Sequence, residues 1–238
     1  VIVFDQVSKA YPTGNTVLEN VSFHIEPGEF VILTGPSGAG KTTIGRLLIR
    51  DLTPSGGDIK VGDWILGKMK SGEVHQLRRH VGVVFQDYKI IPDKTVFENI
   101  SLALEIIDYP QKQIEERVKH LLELVGIPDK GELFPIQLSG GELQRAAIAR
   151  AIVSEPKVLF ADEPTGNLDE ATGRDIYQLL RAIHSLGTTV IMSTHNQSFL
   201  DPGNRHIHLE KGKIISDTAS SSDAPKHHKK KKDQLISS

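Results

Sequence analysis

A chain of 238 residues is long enough to bury a sizeable core, and one domain with subdivisions is expected of it. Its formal charge is −2, and no apolar run approaches the eighteen or so residues of a membrane span, so a soluble chain is expected and nucleic acid is disfavoured as main partner. Zero cysteines exclude disulfides and thiolate metal sites and fit a reducing cytoplasm.

The chain starts "VIVFDQVSKAY", with neither a basic region nor a cleavage site, so no secretory signal is expected; the missing initiator Met points to an edited or partial sequence. "VIVFDQV" alternates, "TVLENVSFHI" alternates after a Pro-Thr-Gly-Asn turn signal, and "EFVIL" follows the turn-like "EPGE", which predicts three strands. The period then changes. "KTTIGRLLIRDL", after "GPSGAG", has helical spacing through Ile44, Leu47 and Leu48, and "GDIKVGDWI" and "HVGVVFQ" read as further strands. From Gln86 to about residue 154 the chain is mainly helical, with Ile114, Val118, Leu121, Leu122 and Val125 on one face of "QIEERVKHLLELVGI". Alternation resumes with the strand "KVLFADE", a helix from about Thr172 to Leu186, the strand "TTVIMSTH" and the hairpin-like "RHIHLEKGKII". The sum is an α/β core over residues 1–218 with a helical insertion at about 88–154 and no internal repeat. Residues 219–238, with five lysines and two aspartates around "KHHKKKK", have little apolar to fold around and read as a disordered tail.

"GPSGAGKT" matches the P-loop pattern, and it follows an apolar strand and precedes a helix, the context that pattern requires. The cradle is assigned to Gly35, Pro36, Ser37, Gly38, Ala39, Gly40, Lys41, Thr42 and Thr43. Its glycines let successive N–H groups wrap phosphate oxygens. Lys41 supplies a point charge for the β and γ phosphates, and Thr42 offers a hard hydroxyl oxygen to Mg²⁺. Hydrolysis further needs a carboxylate on the metal and a way to orient water. Asp162 and Glu163 stand at the C-terminal end of the apolar run Val158 to Ala161, where α/β sheets place their ligands. Asp162 is assigned to the metal through water and Glu163 to the attacking water.

"LSGGELQRAAIARAI" reads as a helix that opens on two glycines, although Gly costs about 1 kcal/mol against Ala inside a helix. Ser139 and Glu142 match a capping box, which accounts for those two residues and not for Gly140 and Gly141. A bare helix start offers unpaired N–H groups and the positive end of a dipole, suited to phosphate. One nucleotide could thus be held from two sides, the second from this chain or another.

"GPSGAGKT", Gln86, "LSGGE", "FADEPTGNLD" and His195, in that order, resemble the nucleotide-binding domain of ABC ATPases over residues 1 to about 216. That resemblance implies a RecA-like P-loop NTPase core with an antiparallel β-subdomain and an inserted α-helical signature subdomain. It implies ATP and Mg²⁺ as ligands, and a head-to-tail, ATP-dependent homodimer in which Ser139, Gly140 and Gly141 reach the γ-phosphate on the partner's P-loop. It further implies that Tyr11 stacks on adenine, Gln86 senses Mg²⁺ and faces a membrane partner, Asp169 communicates between protomers, and His195 contacts the γ-phosphate. From the residues alone Tyr11 could be a core tyrosine, Gln86 an ordinary strand-end polar residue, Asp169 a helix N-cap and His195 structural.

The run "VVFQDYKIIPDKTVFENISLALEI" is similar to a subgroup that serves bacterial cell division, in which the ATPase works at the cytoplasmic face of the membrane with an integral membrane partner. Ile91 stands where leucine is usual there. Tyr88, Ile90 and Ile91 are expected to be exposed apolar residues suited to receiving a partner helix. Two other roles stay open from the motifs: an exporter or lipoprotein-release subunit, and a soluble ABC ATPase acting on nucleic acid or ribosomes.

Overall fold

The structure is a computed structural model and describes residues 1–12, 14–200 and 203–221. Three strands come first, β1 (Ile2–Ala10), β2 (Thr16–Ile25) and β3 (Phe30–Thr34), followed by helix α1 (Lys41–Leu48), β4 (Gly56–Val61), β5 (Trp64–Ile65), α2 (Val74–His80) and β6 (Val81–Val84). The helical insertion comprises α3 (Val96–Glu105), α4 (Gln111–Leu124) and α5 (Gly140–Ile152). The chain then forms β7 (Val158–Asp162), α6 (Glu170–Ser185), β8 (Thr189–Thr194) and the hairpin β9 (Arg205–Glu210) and β10 (Lys213–Asp217). Of the expected tail, residues 219–221 fall in a short 3₁₀ turn and the lysine run lies outside the described residues.

Two sheets result. An antiparallel sheet has the order β2-β1-β4-β5, and a larger sheet the order β10-β9-β3-β8-β7-β6, parallel from β9 to β6 with β10 antiparallel at its edge. All five residues of β3 are buried because layers cover both faces of this sheet, as parallel sheets require. The pleat sorts them. Ile32, Leu159, Ala161 and Met192 pack with α3 to α6, whereas Val31, Leu33, Phe160 and Ile191 pack with α1 and the antiparallel sheet. The helical insertion is thereby seated on one face of the sheet and the antiparallel sheet on the other.

Local chemistry fixes the helix starts. Thr95 and Glu98 form a reciprocal capping box on α3, and Ser139 and Glu142 form one on α5. Asn99, fully buried on α3, accepts from the N–H of Ile91 and donates to the carbonyls of Ile91, Lys94 and Thr95, so it pins the loop that leads into its own helix. Tyr88 and Ile90 pack against the helical core instead of standing exposed, because this pinned loop folds them inward. Ile91 is half-buried with both backbone groups held by Asn99.

Candidate nucleotide-binding and hydrolytic site

The P-loop joins β3 to α1, and its last glycine, Gly40, is the N-cap of α1 with φ 109, a left-handed value that a side chain would resist. No side chain caps this helix and no acid lies in its first turn. Among the described residues no protein acceptor meets the N–H groups of Gly38, Gly40, Lys41 and Thr42. Four unpaired donors at a helix start form an anion cradle. The Lys41 ammonium, buried, donates to the carbonyls of Gly35 at 2.6 Å and Pro36 at 3.1 Å and lies 3.2 Å from Glu163 Oε1.

Glu163 follows the buried strand β7 with φ 46, uncommon for a residue with a side chain. The turn is held by Ser193 on β8, whose carbonyl and Oγ both accept from the Glu163 N–H, at 3.1 and 3.0 Å. Ser193 Oγ donates in turn to Asp162 Oδ1 at 2.6 Å, leaving Oδ2 for another partner. The second carboxylate oxygen of Glu163 accepts from His195 Nδ1 at 2.8 Å and from the His195 N–H at 3.3 Å. A carboxylate only accepts, so the proton sits on Nδ1.

A cavity of about 260 Å³ is bounded by Tyr11, Ser37, Gly38, Lys41, Gln86 and Glu163 among others. Half-buried Tyr11 is thus at the site, beside the Lys9 ammonium 5.6 Å from its ring. Thr42, Gln86 and Asp162 line an adjoining cavity of about 800 Å³, which opens onto Arg46, Asp51, Arg78, Asp87 and Lys89. A hydroxyl, an amide and a carboxylate around one space are hard oxygen donors, the set a magnesium ion takes when phosphate oxygens and water complete its shell.

Ser139, Gly140 and Gly141 line neither cavity. The Ser139 hydroxyl accepts from the Glu142 N–H at 3.3 Å and donates to Glu142 Oε2 at 2.7 Å, and the Ser139 N–H donates to the same oxygen at 2.8 Å. These bonds, with Lys130 3.1 Å from the other oxygen, hold the Glu142 carboxyl down at about 2. Gly141 also has a reason within the chain: a Cβ there would lie 2.7 Å from Thr172 Cγ2 on α6. Asp169 does cap α6, accepting from Thr172 Oγ1 and N–H, which depresses its carboxyl below the ordinary range.

Three contributors escape a reading of motifs. Ser193 is a polar residue buried in an apolar strand, a signal visible in "VIMST". Asn167 donates to the Gln86 carbonyl at 3.2 Å. Arg150, on α5, donates to the carbonyls of Tyr88 and Lys89, and nothing in its helical spacing announces that partner.

Comparison with known proteins gives the family and the fold. The ABC transporter family matches residues 18–166. The cell division ATP-binding proteins FtsE of Streptococcus pneumoniae (serotype 2, strain D39) and Bacillus subtilis (strain 168) are 48% and 46% identical, each covering 91% of this chain and 95% of the relative. The ATP-binding cassette MJ0796, solved as a dimer in a post-hydrolysis state bound to ADP and Pi, superposes with a TM-score of 0.84 at 32% identity, over 91% of this chain and 97% of that one. A likeness this long, in sequence and in fold, makes the chain a member of the ABC transporter family of ATPases.

Proposed function

We propose that this chain is the ATP-hydrolysing subunit of a bacterial cell-division complex, in which ATP-driven dimerisation acts on an integral membrane partner of the FtsX type and so regulates cell-wall hydrolysis. The observation that carries it is the set of unpaired N–H groups at Gly38, Gly40, Lys41 and Thr42 beside Lys41 and Glu163. The cradle and Lys41 hold the β and γ phosphates. Glu163, fixed by Ser193 and His195, takes a proton from water aimed at the terminal phosphate. Because Nδ1 donates to Glu163, His195 can donate to that phosphate only from a protonated Nε2, that is, as the imidazolium. Thr42, Gln86 and Asp162 would hold Mg²⁺, which supplies charge neutralisation on the phosphate oxygens.

Ser139, Gly140 and Gly141 lie away from the cavities of their own chain, which supports a role on the nucleotide of a second copy. The division role is supported by the likeness to FtsE proteins. No helix among the described residues is long and apolar enough to cross a membrane. A place at the cytoplasmic face of the cell membrane, through the partner, is supported by the likeness to FtsE proteins. The space rimmed by Arg46, Asp51, Arg78, Asp87 and Lys89 is suited to a helix with charged residues.

Glu163→Gln tests the reading. Hydrolysis should fall about a hundredfold or more, since general base catalysis contributes on that order. ATP should stay bound, and the chain should elute as a dimer with it. Turnover close to wild type would refute the assignment, and co-purification with an FtsX-type membrane protein tests the partner.

A further inference from the structure

Directly after Gln86 the backbone makes a turn of uncommon shape. Tyr88 and Lys89 have φ 60 and 51, two consecutive left-handed residues with side chains. Such a pair persists only where its surroundings determine it. Within the turn the Lys89 N–H donates to Asp87 O at 2.6 Å and the Tyr88 N–H to Phe85 O at 3.0 Å. Neither bond reaches beyond the turn. Beyond the packing of the Tyr88 ring on the helical core, the polar tie of this backbone to α5 is Arg150: Nη2 donates to Tyr88 O at 2.9 Å and Nη1 to Lys89 O at 2.7 Å. On the other side Asn167 holds the Gln86 carbonyl, and the Tyr88 hydroxyl lies beside Asn167.

We propose that Arg150 is a positioning residue for Gln86: its guanidinium fork, by holding two successive carbonyls of the Tyr88–Lys89 turn, sets where the Gln86 side chain stands between the Thr42/Asp162 cavity and the charged rim. Planarity matters here. A guanidinium presents two parallel donors in a fixed fork, whereas an ammonium is a point charge on a flexible stem. The same helix begins at Ser139, Gly140 and Gly141, so the turn and the glycine-bearing helix start are joined through one rigid element. The Gly140 side of that start is close as well, since a Cβ there would lie 3.5 Å from the Tyr88 hydroxyl. A displacement of the turn by a partner seated on the rim would therefore be felt by α5, and a movement of α5 would be felt by Gln86.

The proposal rests on the reading of Gln86 as a residue on the magnesium side of the nucleotide, and the experiment separates the two. Amide hydrogen exchange is measured on the full-length chain without nucleotide, for wild type, Arg150→Ala, Arg150→Lys and Gln86→Ala. The Mg²⁺ concentration for half-maximal ATP hydrolysis and the affinity for a fluorescent ATP analogue without metal are measured alongside. In Arg150→Ala, exchange over residues 87–91 should rise about tenfold while residues 143–152 keep their protection. The half-maximal Mg²⁺ concentration should rise about three- to tenfold, as in Gln86→Ala, with metal-free nucleotide affinity unchanged. Arg150→Lys should fall between wild type and Arg150→Ala, and it keeps the test decisive if the alanine chain folds poorly. Combining Arg150→Ala with Gln86→Ala should add nothing to the metal dependence of Gln86→Ala alone. Unchanged exchange over 87–91 in both Arg150 variants overturns the proposal. So does a normal metal dependence in them when Gln86→Ala shifts it. If Gln86→Ala leaves the metal dependence normal, the reading of Gln86 fails and the proposal with it, even where the exchange over 87–91 rises.

Discussion

Ser193 illustrates how one small side chain can hold two adjacent acids in different ways. Its hydroxyl gives its proton to Asp162 and takes the N–H of Glu163, so one carboxylate is held by a donor and the next residue is turned into the left-handed region. Glu142 is set in the same manner by its cap. Its carboxyl is held at about 2, below the ordinary value of about 4.3, because the Ser139 N–H, the Ser139 hydroxyl and Lys130 all favour the ionised form. A carboxyl with a depressed folded value contributes stability in full above its unfolded value and loses it as pH falls through the folded one. Glu142→Gln keeps an acceptor for the cap and removes the charge. It should lower the urea midpoint at neutral pH, and the gap to wild type should narrow from about pH 4.3 and close near about pH 2. A gap independent of pH would show that the charge of Glu142 contributes nothing.

At the level of elements, the crossing of α5 over α6 is where two demands on one glycine can be weighed. Replacing Gly141 by Ala gains up to about 1 kcal/mol of helix propensity, while a methyl group 2.7 Å from Thr172 Cγ2 overpacks the crossing at a cost of about 1–3 kcal/mol. Thr172 cannot turn away cheaply, because its hydroxyl and N–H are both engaged by Asp169. Gly141→Ala is therefore expected to destabilise the chain by about 1 kcal/mol in wild type and to stabilise it in a Thr172→Ala background, as read from a double-mutant cycle in urea. Strands and most helices were legible from periodicity, since β3, β7 and β8 are apolar runs and α4 keeps Ile114, Val118, Leu121 and Leu122 on one face. The P-loop was legible because its chemistry is local. The inward turn of Tyr88 and Ile90 was not, because it depends on Asn99 and Arg150, which meet the loop only after the helices have packed. The tie between Gly141 and Thr172 was hidden for the same reason, as the two residues are distant in sequence and close only where α5 and α6 cross.

For the whole molecule, the separation of Lys41 from Ser139 within one chain makes a mixing experiment decisive. In the head-to-tail dimer proposed above, Ser139→Arg chains and Lys41→Ala chains would each spoil both composite sites of their own homodimer, whereas a mixed dimer would keep one site with both halves intact. ATP-dependent association should thus be absent in either homodimer and recovered on mixing, measured by analytical ultracentrifugation. No recovery on mixing, with both chains folded and mixed, would overturn the head-to-tail arrangement. The pairing of Lys41 with Glu163 at 3.2 Å bears on how a nucleotide arrives in the first place. An ammonium already matched to a carboxylate casts little field past a Debye length of about 8 Å at physiological ionic strength. Paired in this way, Lys41 adds little to the long-range attraction of anions and acts chiefly at contact. On the roles proposed above, a phosphate that claims Lys41 would leave Glu163 without that ammonium, so the arrival of the nucleotide and the unmasking of the proposed base would be a single event.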